Sequence, residues 1–197
     1  MAMATPAASE ARGRAAEPAE PLANLAAFMA ANERYAATQH RPSDAVSPTR
    51  RAAVLLCMDA RLNPSDFMGV ASGDVHLVRN GGGRVTADAL KSLVASQQIL
   101  GTREIYVIHH TDCGLSKFDT PELLRKAAAT LGWLGVARLL SYGTAPTFDE
   151  SDLERSVRDD VAALAHSRVI LSGTPIVGLI FDTHTGRLRE VTRATHK

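Results

Sequence analysis

The stretch Ala52-Ala53-Val54-Leu55-Leu56-Cys57-Met58-Asp59-Ala60-Arg61 decides how the rest of the chain is read. Its apolar residues run without a polar break, where a half-exposed strand would alternate. A run of this kind is expected of a strand buried on both faces of a parallel sheet. It stops at a cysteine, followed by an acid and a base at alternate positions. Roughly fifty residues later Ile105-Tyr106-Val107-Ile108 repeats the pattern and delivers His109-His110-Thr111-Asp112-Cys113.

Outward from these two runs, further elements follow. Val75 to Val78 reads as a strand ending in Arg79-Asn80-Gly81-Gly82-Gly83. Pro175 to Phe181 reads as another, and Arg187 to Val191 as its hairpin partner across Thr183-His184-Thr185-Gly186. Helical patterns lie between them. Asn63-Pro64-Ser65-Asp66 turns into a short helix through Phe67 and Met68. Thr86 is a natural N-cap, with Asp88 in the first turn, for a helix that Gly101 stops. Thr120-Pro121 opens another helix. Ser151-Asp152-Leu153-Glu154 has the form of a capping box, and Leu153, Val157, Val161 and Leu164 place one face of that helix on the core. The segment 131–146 carries no clear pattern. Strands alternating with helices predict an α/β fold, with a mainly parallel sheet of about four strands and one antiparallel edge strand.

At 197 residues the length suits one main domain, and 45% hydrophobic with 22% charged residues is ordinary for a globular protein. The net charge of +1 offers no field to recruit nucleic acid or an anionic membrane surface. No apolar run approaches the roughly 20 residues that span a bilayer. Residues 1–20, rich in Ala, Glu and Pro, read as a disordered tail. Its two arginines would suit a transit peptide, but Glu10, Glu17 and Glu20 argue against one, so the reading is cytoplasmic. Residues 21–50 read as an N-terminal helical arm and a Pro-bearing linker, with Leu25, Phe28, Met29 and Tyr35 near helical spacing. Residues 51–197 read as the catalytic domain.

In a parallel sheet, ligands collect beyond the carboxyl ends of the strands, where Cys57, Asn80 and His110 all fall. Two cysteines and a histidine supply three zinc ligands, the number that leaves a fourth position open for catalysis. Here the ligands are Cys57, His110 and Cys113, with one zinc per chain. Asp59 stands close enough in sequence to reach the metal or its water. Arg61 can hold that carboxylate by a bidentate pair and keep it ionised. The loop Asn80-Gly81-Gly82 lacks the Walker and G-x-G-x-x-G patterns and reads as backbone drawn close to a small substrate. Two non-enzymatic readings compete. The zinc could be structural, with Asp59 as the fourth ligand, or the cysteines could be a redox pair.

The motifs CMDAR (57–61), RNGGG (79–83), SQQILGTREI (96–105) and HHTDCG (109–114) resemble those of the β-class carbonic anhydrases. The resemblance implies zinc on Cys57, His110 and Cys113, with Asp59 and Arg61 as a catalytic dyad. It implies reversible hydration of carbon dioxide to bicarbonate by a zinc-bound hydroxide that the dyad orients. His109, which precedes the motif histidine, is expected to turn into the core. Hydrolases of carbonyl sulfide and carbon disulfide share the fold and ligands, so either activity is the rival reading. Gly81 stands where many members have Ala, which bears on pocket width, and Ala60 where many have Ser, which removes a hydroxyl beside the dyad. The resemblance also implies a homodimer or larger homo-oligomer.

Overall fold

In the computed structural model, which describes residues 22, 24–42, 46–117, 119–143 and 147–197, the opening run becomes β1 (Ala52–Cys57), with every residue buried. With β2 (Val75–Asn80), β3 (Glu104–His110), β4 (Pro175–Phe181) and β5 (Leu188–Thr195) it forms one sheet in the order β2-β1-β3-β4-β5. The first four strands are parallel and β5 pairs antiparallel to β4. This is the expected α/β sheet with one antiparallel edge strand. The residues expected to form a disordered tail, 1–20, lie outside the described residues.

The chain divides into two compact units, residues 1–44 and 45–197. In the first, α1 (Leu25–Thr38) has no buried residue, and Leu25, Phe28, Met29 and Tyr35 are exposed. The second holds the sheet. Residues 49 and 50 already belong to it, because the N–H groups of Thr49 and Arg50 donate to the carbonyls of Gly73 and Asp74. No helix among the described residues is long and apolar enough to cross a membrane.

The helices of this unit are α2 (Pro64–Phe67), α3 (Ala87–Gln98), α4 (Thr120–Ser141) and α5 (Leu153–Ala165). On one face of the sheet Ala53, Ile105, Val107 and Ile176 meet Leu93 of α3 and Val161 and Leu164 of α5. On the other, Val54, Leu56, Ile108 and Phe181 form a second cluster with Leu62, Cys57 and Cys113. Alternate residues of each strand thus feed opposite faces, which is why the strands read as unbroken apolar runs.

Local signals held at some ends and failed at others. The Thr86 hydroxyl accepts from the Ala89 N–H at 3.2 Å, as an N-cap should. Asp119 rather than Thr120 caps α4, accepting from the Glu122 N–H at 2.7 Å. The capping box at 151–154 does not form. Instead the Asp149 carboxylate accepts from the Ser151 N–H and hydroxyl, and Glu150–Asp152 makes a 3₁₀ turn before α5. An acid two residues upstream simply offers the nearer acceptor. β5 runs on to Thr195, past the expected Val191, and a bulge at Gly178/Leu179 adjusts its register against β4. Within α4, Gly132 leaves the helical region (φ 67°, ψ 177°) and breaks it in two, a freedom that glycine has at little cost.

Gly178 seats α5 on the sheet. A Cβ there would stand 2.5 Å from Val157 Cγ1 and 2.8 Å from Val161 Cγ2. Gly178→Ala is therefore expected to cost about 1 to 3 kcal/mol through overpacking, read as a lower midpoint in urea unfolding with an unchanged slope.

Candidate metal centre

Parallel pairing sets the site. β1 lies between β2 and β3 with Cys57 opposite Asn80 and Leu56 opposite Ile108. The loops after the three strands therefore start at one level. The ligand atoms of Cys57, His110 and Cys113 all lie within 4.8 Å of one another, and all three residues are buried. The two sulfurs are 3.9 Å apart as free thiols.

The donor set fits a metal ion. His110 Nδ1 lies 2.9 Å from the Thr111 carbonyl, which can only accept, so Nδ1 carries the proton. Nε2 is then the lone-pair nitrogen, and it is buried without a hydrogen-bond partner among the described residues. An orphaned imidazole nitrogen facing two thiols is costly unless a cation satisfies it. Zinc takes such a set of N and S donors. The charges lean the same way. A hydrogen bond from Cys113 holds the Cys57 thiol well below the usual thiol range against burial, helped by His110 and by the backbone N–H groups of Asp59 and Gly82. That same bond, with burial, pushes Cys113 up.

Asp59 and Arg61 meet beside this cluster. Arg61 donates from Nε to Asp59 Oδ1 (3.0 Å), from Nη2 to Oδ2 (2.8 Å) and from its backbone N–H to Oδ1 (2.9 Å). These bonds hold the Asp59 carboxyl down to about 2. Asp59 Oδ2 lies 3.9 Å from His110 Nε2.

The glycine loop closes around Cys57. The Asn80 side chain donates to the Arg84 carbonyl (2.8 Å) and accepts from the Arg84 N–H (2.9 Å), so it shapes the loop from within. At Gly81 a Cβ would meet only Leu115, at 3.5 Å. Gly82 (φ 80°) and Gly83 (φ 69°) occupy the left-handed region, and a Cβ on Gly83 would fall 2.8 Å from the Cys57 nitrogen. That close approach excludes any side chain at Gly83.

Sequence reasoning missed two groups. His109 turns into the core as expected, but there it joins a polar network, with Nδ1 2.8 Å from Ser156 Oγ and Nε2 3.0 Å from Asp160 Oδ2. Arg84 Nε donates to the same carboxylate oxygen at 2.7 Å. Asp160 thereby ties α5 to both the glycine loop and the metal-binding strand. The second missed residue is Asp112, which adopts φ 55° between two expected ligands and pairs with Arg61. Both partners of each pair are distant in sequence, and no local spacing signals them.

A mainly parallel sheet with a Cys, His, Cys cluster at and beyond its strand ends defines an α/β protein with a buried donor set that could hold a metal ion. Comparison with known proteins narrows the class. The family model described as carbonic anhydrase matches residues 52–188. Beta-carbonic anhydrase 1 of Mycobacterium tuberculosis is 34% identical over 165 residues, covering 84% of this chain and 96% of that one. A carbon disulfide hydrolase of Acidithiobacillus thiooxidans is 40% identical, with 71% of this chain and 76% of that one covered. The crystal structure of a carbonic anhydrase from Streptococcus mutans superposes with a TM-score of 0.76 at 39% identity, covering 87% and 99% of the two chains. The chain belongs to the β-class carbonic anhydrase family, whose members include enzymes named for carbon disulfide hydrolysis.

The Arg84–Asp160–His109 network predicts a stability effect. Asp160→Ala leaves a buried guanidinium without its partner and is expected to cost about 3 to 5 kcal/mol in denaturant unfolding. His109 and Arg84 together hold the Asp160 carboxyl below its usual range, despite the desolvation that works against them. A carboxylate depressed on folding stabilises above its unfolded pKa, about 4, and loses that contribution as pH falls through the folded value. Asp160→Asn should therefore weaken the acid-side fall in stability, measured as unfolding midpoint against pH.

Proposed function

We propose that this chain catalyses the reversible hydration of carbon dioxide as a zinc enzyme. In this reading residues 51–197 are the catalytic domain and Cys57, His110 and Cys113 hold one zinc ion per chain. Asp59 and Arg61 act as the catalytic dyad, and Asn80, Gly81 and Gly82 form one wall of the substrate pocket. The observation that carries the reading is the unpartnered, buried Nε2 of His110 facing two thiols, with the Asp59 carboxylate 3.9 Å away. Zinc supplies Lewis acidity there when bound, which makes water nucleophilic near neutral pH.

The chain's own residues do the rest. Asp59, kept ionised far below neutral pH, accepts a hydrogen bond from the attacking water and so aims a lone pair at the substrate carbon. Arg61 fixes that acceptor by its bidentate grip. The glycine loop brings backbone close without side chains, and Leu115 and Phe148 of the neighbouring apolar cluster suit a small non-polar molecule. Water and carbon dioxide give bicarbonate, and one proton passes to solvent.

Hydrolysis of carbon disulfide or carbonyl sulfide is the second reading, favoured by the 40% identity to the carbon disulfide hydrolase of Acidithiobacillus thiooxidans. The same nucleophile would attack a linear electrophile that carries sulfur. We further propose a homodimer or larger assembly in solution. The exposed Leu25, Phe28 and Met29 stripe of α1 and the half-exposed Leu77 on edge strand β2 support this, since a second copy would bury them.

Cys57→Ser is expected to lose zinc and activity together, because a hydroxyl is a poor zinc ligand; metal analysis beside stopped-flow hydration checks this. Asp59→Ala should keep zinc at one per chain yet lose about 100-fold or more in kcat, and a full rate would remove the dyad from the mechanism. Assaying the zinc-loaded protein for both carbon dioxide hydration and sulfide release from carbon disulfide and carbonyl sulfide decides the substrate. Dominant hydration supports the first reading, and dominant sulfide release replaces it with the second.

A further inference from the structure

We propose that Asp112 is a positioning residue for the dyad: it grips the Nη1 end of the Arg61 guanidinium, beside the Nε/Nη2 edge that Asp59 holds, so that two loops rather than one hold the carboxylate facing the metal site. This rests on the dyad reading above. Arg61 has five side-chain N–H groups, and its bonds divide between two acids. Nε and Nη2 serve Asp59, while Nη1 donates to Asp112 Oδ2 and Nη2 to the Asp112 backbone carbonyl, both at 2.8 Å.

The second grip is needed because the first is weak in isolation. Arg61 is about half exposed, its side chain at 48%, and an exposed ion pair two residues apart in one loop has little to hold it still. Asp112 lies on the loop after β3, so its bond crosses from one strand end to the next. Asp112 is itself anchored at every polar atom. Its N–H donates to Glu150 Oε1 at 2.8 Å, its carbonyl and Oδ2 accept from Arg61, and its Oδ1 pairs with Lys117. It is held at φ 55°, a conformation that glycine would adopt with less strain. The carboxylate occupies this position at a conformational cost, and what it gains is the bond to Arg61 Nη1, which adds to the link Glu150–Asp112–Arg61–Asp59 that the backbone of Asp112 begins.

The strain makes a test possible, because Asp112→Gly relieves the backbone and deletes the carboxylate's bond to Arg61 Nη1, while the backbone bonds to Arg61 Nη2 and Glu150 can remain. A role confined to loop stability predicts that this variant changes rate only as far as it changes stability or zinc content. Positioning predicts that kcat of the zinc-loaded enzyme falls about tenfold, with KM within about twofold. Zinc content and thermal midpoint stay at the wild-type values, and exchange of the Arg61 Nε–H with solvent, followed by NMR, becomes faster. Asp112→Asn, which keeps an oxygen for Nη1, should stay within about threefold of wild-type kcat. Lys117→Ala, which leaves the Arg61 bonds intact, should do the same. In an Asp59→Asn background Asp112→Gly should have no further effect, since its action runs through Asp59. The rate is read as carbon dioxide hydration or sulfide release, whichever the wild type performs.

The proposal is overturned by a wild-type rate in Asp112→Gly, by a loss that parallels zinc content or thermal midpoint, by an Asp112→Asn rate as low as that of glycine, or by a loss that persists in Asp59→Asn. Failure of the underlying dyad reading has its own signature, an Asp59→Asn enzyme at full rate.

Discussion

The centre depends on the parallel pairing of β1 between β2 and β3. Because Leu56 stands opposite Ile108 and Cys57 opposite Asn80, the loop carrying Asp59, the glycine loop and the loop carrying Cys113 leave the sheet side by side. Side chains on a strand alternate faces, so a one-residue slip would turn Cys57 away from His110. Burial on both faces prevents the slip, since shifting β1 would exchange Val54 and Leu56 with Ala53 and Leu55 across two differently shaped clusters. Gly83 enforces the same alignment, because a Cβ there would fall 2.8 Å from the Cys57 nitrogen.

Around that frame the polar groups are shared between segments rather than satisfied locally. Asp160 joins α5 to the glycine loop through Arg84 and to β3 through His109. Arg61 joins the β1 loop to the β3 loop through Asp59 and Asp112. Asp59 is held in its ionised form by Arg61, Asp112 by Lys117 and Arg61, and Asp160 by His109 and Arg84. The result is a cluster of soft donors at the floor of the site, with a fixed carboxylate at its edge and apolar side chains around it.

Much of this was legible in the chain. The central strands were readable because two-sided burial writes itself as unbroken apolar runs, and the Cys57, His110 and Cys113 cluster was readable because all three residues fall at or just beyond strand ends. What escaped reading had a common cause. Asp160 and Ser156 look like ordinary polar residues on α5, and only the packing of α5 across Gly178 brings them to His109. Asp112 looks like a loop acid between two ligands, and its partner Arg61 arrives from another strand. The capping box at 151–154 was outcompeted by Asp149, and the break in α4 at Gly132 needed a backbone angle that composition does not announce.

The sequence by itself therefore placed the strands and set Cys57, His110, Cys113 and the Asp59/Arg61 pair at or beside their ends, because each segment carries its own local pattern. The tertiary structure alone decided which nitrogen of His110 is left free, which charges share Arg61 and Arg84, and how closely the glycine loop approaches Cys57. The free nitrogen of His110 follows from its bond to the adjacent Thr111 carbonyl, while the charge pairings depend on hydrogen bonds between residues 51 and 76 apart. Their geometry is set by sheet register and helix packing, to which local spacing carries no information.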